Sequence, residues 1–188
     1  MTAVIPFVPV PLPLYLPTGS YVIADPCYAE VWRDRWSELC RTIFHDSIDG
    51  YGAFTYGEHL IVWSSTAHGD GAYPVWDTLR STIVGEFGVD AGLFAIIPAV
   101  LVPELAHAVE IPAQYPLRIG IGPSHGDMTL DSIAVCYVID TSGDTEDELS
   151  TQTMLTTLDD DYDDEYEDED EDEDEESKEN EDRCHCGH

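Results

Sequence analysis

Residues 53–64 read AFTYGEHLIVWS, two short runs rich in aromatic and β-branched side chains with Gly57 and Glu58 between them. Such runs fit a pleated, half-buried surface. A two-residue connection carrying glycine is the shortest link that folds one strand back antiparallel on the next. The hairpin sets the expectation for the rest of the chain. Outward from it, residues 20–24 (SYVIA) read as a short buried strand ended by Asp25-Pro26, residues 73–76 as another, and residues 93–97 as a continuous apolar run stopped by Pro98. Residues 109–111, 117–122 and 133–139 supply the last strands, with a short helical piece near 100–106. Residues 28–44 read as one long amphipathic helix started by Asp25 and Pro26. Within it Trp32, Trp36, Leu39, Cys40 and Ile43 recur at three- and four-residue steps and make one apolar stripe. Strands outnumber helices and come in adjacent runs. The expected fold class is therefore α+β, a mainly antiparallel sheet covered by one long helix.

Charge divides the chain differently. From Asp159 to Asp182, 19 of 24 residues are Asp or Glu. The formal net charge of −32 splits into −15 for residues 1–158 and −17 for residues 159–188. Neighbouring carboxylates there lie inside a Debye length of roughly 8 Å, so the segment repels itself and is expected to be a disordered polyacidic tail. The expected organisation is a proline-rich extended arm over residues 1–17, a globular domain over 18–145, and the tail with a terminal Cys/His cluster over 146–188.

The arm, with AVIPFVPVPLPLYL at residues 3–16, is apolar enough to suggest a signal peptide, but no Lys or Arg precedes Arg33 and Pro6, Pro9, Pro11 and Pro13 break any helix. It reads as a polyproline-like strip lying on the domain surface, or as a ligand for a partner's groove. No stretch has the 18 or so apolar residues of a membrane span, so no membrane association is expected. Five scattered cysteines argue against a secreted disulfide framework, and the cytoplasm is the expected compartment. Residues 1–158 hold five Arg and no Lys. Direct nucleic-acid binding, which needs clustered cations for phosphate contact, is not expected.

Three loops pair Asp with Gly or Pro where the chain must turn. They are Asp25-Pro26-Cys27-Tyr28, Thr66 through Val75 with His68-Gly69-Asp70-Gly71 at its centre, and Gly88-Val89-Asp90-Ala91-Gly92. Read as structure, these are capped turns in which Asp accepts backbone N–H bonds. Read as chemistry, Cys27 is a candidate nucleophile at a helix start, where the dipole lowers a thiol pKa. His68 would be its base, with Asp25, Asp70 or Asp90 orienting the imidazole. No cysteine-protease or thiol-oxidoreductase signature surrounds Cys27. A divalent-metal site is the other chemical reading: His68 and Asp70 are repeated in kind by His125 and Asp127. Cys184, His185, Cys186 and His188 add soft ligands near the C-terminus, spaced too tightly for an ordinary structural zinc site. No other cofactor is expected.

The three loops also carry a resemblance. Residues 19–28 (GSYVIADPCY), 66–73 (TAHGDGAY) and 89–93 (VDAGL), with Ile97-Pro98 after them, resemble a family of small bacteriophage and bacterial proteins without an assigned reaction. The similarity covers roughly residues 18–105, in order, and stops short of both the arm and the tail. It implies a phage or prophage setting, and hence the host cytoplasm, together with a compact sheet-rich fold. The leading functional expectation is a non-enzymatic accessory protein that binds another protein, the tail docking a basic partner. Two alternatives stand beside it: a small cysteine/histidine-dependent hydrolase or transferase, and an acidic inhibitor of DNA-binding proteins. The sequence leaves the oligomeric state open.

Overall fold

The chain divides into two units, Met1–Thr153 and Met154–His188. The computed structural model describes residues 5–45, 50–122 and 126–143, all in the first unit. The tail and Cys184, Cys186 and His188 therefore lie outside the described residues, as does His125.

Among the described residues, twelve strands make two six-stranded sheets, and every pairing is antiparallel. Sheet A contains β1 (Phe7–Val10), β3 (Gly19–Ala24), β4 (Tyr51–Tyr56), β5 (His59–Ser65), β8 (Leu93–Pro98) and β9 (Val109–Ala113), in the order β1-β4-β5-β8-β3-β9. Sheet B contains β2 (Tyr15–Leu16), β6 (Gly71–Asp77), β7 (Thr82–Val89), β10 (Leu117–Ile121), β11 (Met128–Asp131) and β12 (Cys136–Ile139), in the order β2-β10-β11-β12-β6-β7. The proline-rich segment thus supplies an edge strand to each sheet, with Phe7 and Leu16 buried.

The sheets face each other across one apolar core, to which sheet A contributes Tyr21, Ile23, Val62, Phe94 and Ile111, and sheet B Val75, Phe87, Leu117, Leu130 and Ile139. A second core covers the opposite face of sheet A, where Trp32, Leu39 and Ile43 lie on Phe54, Ile61, Trp63, Ala95 and Ile97. Strands β3, β5 and β8 are buried on both faces, which is why they read as unbroken apolar runs.

The mainly antiparallel sheet is present, but the long covering helix is not. Residues 30–44 instead pass through a 3₁₀ segment (Glu30–Arg35), one α-helical turn (Trp36–Leu39) and a π segment (Cys40–Phe44). The break falls at Arg35, whose φ of −123° and ψ of 16° leave the helical region. Its guanidinium is held by Glu38, bonds the Ile5 carbonyl and lies 4.3 Å from the centre of the Phe7 ring. Ahead of it, the Trp32 indole donates back to the Pro26 carbonyl at 2.7 Å and tightens the first turn. The apolar stripe reaches the sheet through these local distortions. The helical piece expected near residues 100–106 shortens to Ala99–Leu101, because Pro103 disfavours a helical conformation in the residue before it.

Strands β7 and β11 have no counterpart in the sequence reading, and the strand expected over 133–139 shortens to β12, which follows a turn through Ser132–Val135. Gly85 explains the difficulty with β7: a Cβ there would lie 3.0 Å from Val109 Cγ2. The glycine permits the edge of sheet B to close against the edge of sheet A. No described helix is long and apolar enough to cross a membrane.

Candidate functional site

The topology brings the three motif loops to one end of the sandwich. In sheet A, β8 lies between β5 and β3, with Leu93 opposite Ser65 and Ala95 opposite Ala24. The loops leaving β3 and β5 and the loop entering β8 therefore emerge side by side. The last two are also the crossovers that join the sheets, since Gly71 at the start of β6 pairs with Val89 at the end of β7.

Asp25 ties these loops together. Pro26 has no N–H, so the first donor beyond it is the Cys27 amide, which reaches Asp25 Oδ1 at 2.7 Å. Asp25 Oδ2 accepts from the amides of Asp90 and Ala91 at 2.7 and 2.8 Å. Asp25 is fully buried, and three N–H donors on one carboxylate are what hold such a charge inside a protein. The third loop reciprocates, because the Tyr28 hydroxyl donates to Asp90 Oδ2. The second loop joins through the Gly92 amide, which donates to Asp70 Oδ1 at 3.1 Å, and through the Thr66 amide, which donates to the Gly92 carbonyl at 2.9 Å.

A neighbouring cluster brings together the two His-Gly-Asp loops. Gly126 has a φ of +90°, and a Cβ on it would lie 2.7 Å from both Ala67 N and Ser65 O, so only glycine fits between the loops. Both loops converge on Thr141 and Ser142. The Ala67 amide donates to Thr141 Oγ1 at 3.0 Å, and His68 Nε2 lies 2.9 Å from the Ser142 carbonyl. Asp127 Oδ1 accepts the amides of Thr141 and Ser142, and Oδ2 accepts the Ser142 hydroxyl. Asp140 accepts from the Ser142 and Gly143 amides.

These bonds decide what the residues can do chemically. Burial pushes the Cys27 thiol up, and a hydrogen bond to Asp25 and the nearby charges of Asp25 and Asp90 add to the effect. Carboxylates stabilise a thiol, whereas a nucleophile requires a thiolate. The His68 ring is committed to Ser142 rather than to sulfur. The Tyr28 hydroxyl is pushed up to about 12, chiefly by its bond to Asp90. Among the described residues, no group of three or more His, Cys, Asp or Glu side chains is placed to hold a metal ion.

Beside the Asp25 tie lies a cleft in two lobes that share Tyr28 and His107. One lobe of ≈ 410 Å³ runs from Glu30 and Arg33 to Leu101, Glu104 and Leu105. The other, ≈ 570 Å³ and shallower, is lined by Asp70, Gly71, Gly88 and Asp90. His107 keeps its place with a φ of +54°, its carbonyl accepting the Gly88 amide at 3.0 Å. The chain matches no protein-family model, no curated protein and no solved structure.

Cys27, Asp25 and Asp90 are thus brought together and joined to Asp70, while His68 and Asp127 meet elsewhere, around Ser142. The sequence reading did not single out Tyr28 or His107 as site residues, nor the acceptor turn at Asp140-Thr141-Ser142-Gly143. The last carries a legible signal, an Asp two residues before a Ser and three before a Gly. Tyr28 was visible only as the last residue of the Asp25–Tyr28 motif and His107 not at all, because their role comes from loops far apart in sequence.

Proposed function

We propose that this chain is a phage-encoded, non-enzymatic accessory protein that binds another protein. The sandwich supplies the specific surface, and the polyacidic segment draws in a basic partner and speeds the encounter. The observation that carries this reading is the use made of the motif carboxylates. Asp25, Asp70 and Asp127 are occupied by backbone amides, and the thiol beside them is held protonated. Such loops form a fixed platform, and a fixed platform lowers the ordering cost of recognition. Among the described residues, these contacts disfavour the Cys27 thiolate and turn the His68 ring to Ser142.

The test is a pull-down from host lysate at about 50 and 300 mM salt, above and below a Debye length of roughly 8 Å. It compares the native chain with one in which the acids of residues 159–182 become Asn and Gln. The expected result is a basic partner held by the native chain at low salt and weakened in the neutralised chain. Identical, salt-insensitive partner profiles for the two chains would remove the electrostatic role.

A further inference from the structure

We infer that the two-lobed cleft around Tyr28 and His107 docks an extended peptide segment in which a cationic side chain lies within a few residues of an aliphatic one. The inference rests on the protein-binding reading and assigns it a surface and a partner chemistry.

Charge selects the cation. In the shallower lobe, Asp70 and Asp90 are both exposed. Asp70 uses Oδ1 for the Gly92 amide and Asp90 uses Oδ2 for the Tyr28 hydroxyl, and neither is ion-paired among the described residues. Their positions are fixed by the same bonds that fix the loops. A Lys or Arg side chain laid along this lobe meets two carboxylates that have no other counter-charge among the described residues. At the far end Arg33 is already taken up by Glu30 at 3.3 Å, which leaves Glu104 on the rim as a third acid without an ion pair among the described residues.

Shape and polarity select the aliphatic neighbour. Between the acidic ends the wall is made by Leu101, Val102, Leu105 and Ala106, which suits apolar side chains. The two lobes share a border at Tyr28 and His107, so one ligand can occupy both only by passing along that border. A nucleic acid is repelled by the same carboxylates. A bare metal ion finds no convergent ligand set here.

The probe is a displayed library of random dodecapeptides selected against the full chain. Enriched clones are then measured by fluorescence anisotropy against the native chain, two cleft variants and the chain with neutralised tail acids. Glu104→Arg reverses the rim charge and Ala106→Tyr fills the groove; both positions are exposed, and matching thermal melts confirm that the variants fold. The expected outcome is a consensus with Lys or Arg within a few residues of Leu, Ile or Val. Binding should fall about tenfold in each cleft variant and little when the tail is neutralised. Clones that bind through the tail alone, losing affinity only on its neutralisation, overturn the cleft and leave the general protein-binding reading standing. A consensus without cationic residues, or no enrichment, also overturns it.

Discussion

The two sheets are equal in strand number and unequal in circumstance. Sheet A has apolar neighbours on both faces, sheet B inside it and Trp32, Leu39 and Ile43 outside it. Sheet B faces the core on one side, and among the described residues no helical or strand element covers the other. Its outer rows run Gly120, Thr129, Val138 and Trp76 in register, all half-buried. The same strand geometry therefore produces two sequence signatures. Sheet A gives four consecutive buried residues in β3, β5 and β8, whereas β11 and β12 in sheet B alternate strictly between buried and half-buried. Cover, not pairing, sets the pattern.

The largest effect tests the cover itself. Trp32 is 1% exposed and lies edge-on to Phe7, Phe54 and Tyr56, so Trp32→Ala is expected to cost about 3–5 kcal/mol in urea unfolding. Trp76→Ala, on the face that no described helix or strand covers, should cost under about 2 kcal/mol, because less packing is lost and its buried Nε1 has no hydrogen-bond partner among the described residues. Equal losses would erase the distinction between the sheets.

Next comes Asp25, which fastens the covered sheet to the crossovers. Asp25→Ala strands three amides and should cost about 2–4 kcal/mol, with faster hydrogen exchange at Cys27, Asp90 and Ala91 in particular. Unchanged exchange at those amides would show that the tie holds nothing. Smaller still is the seam between sheet edges. Gly85→Val drives methyls against Val109 and should cost about 1–3 kcal/mol, and Val109→Ala should recover part of that in the double variant. Strict additivity of the two changes would place the seam elsewhere.

The mildest effect is a slope with pH. The unfolded Cys27 thiol ionises near about 8.5, whereas the folded one, raised by burial and by Asp25, keeps its proton. Above that pH the folded state binds more protons than the unfolded state, so stability falls as pH rises. Cys27→Ser should flatten the slope, and peptide mapping should find native Cys27 labelled at least about tenfold more slowly than in urea at pH near 8.5. Equal labelling rates would restore the catalytic reading of that thiol.

What could be read from the chain follows from the same contrast. The runs at Ile23, Val62 and Ile96 were legible because burial on both faces leaves no polar interruption, and the hairpin because Gly57 and Glu58 fall between two strand-like runs. Strand β7 was not, since its glycines serve a neighbouring edge and its first residues, Thr82 to Val84, are exposed. The stripe of Trp32, Leu39 and Ile43 does lie on the sheet, but short 3₁₀, α and π pieces carry it in place of the long helix that its spacing suggested. Its regularity was broken by Arg35, whose partners Ile5 and Phe7 lie far upstream and outside any local pattern. At the site, each Asp-Gly or Asp-Pro turn was visible on its own. That Asp25 would bond the amides of Asp90 and Ala91 depended on which strands lie next to β8, which residue spacing does not encode.

One feature of the N-terminal segment reaches beyond the sandwich. Strands β1 and β2 occupy the outermost positions of both sheets on the same side, and Pro9 sits within β1 where a further chain would otherwise find a donor. A few residues thus act as a double guard against self-assembly. Removing residues 1–16 would bare the open hydrogen-bonding edges of β4 and β10, and the shortened chain should form thioflavin-positive fibres under conditions in which the intact one stays clear.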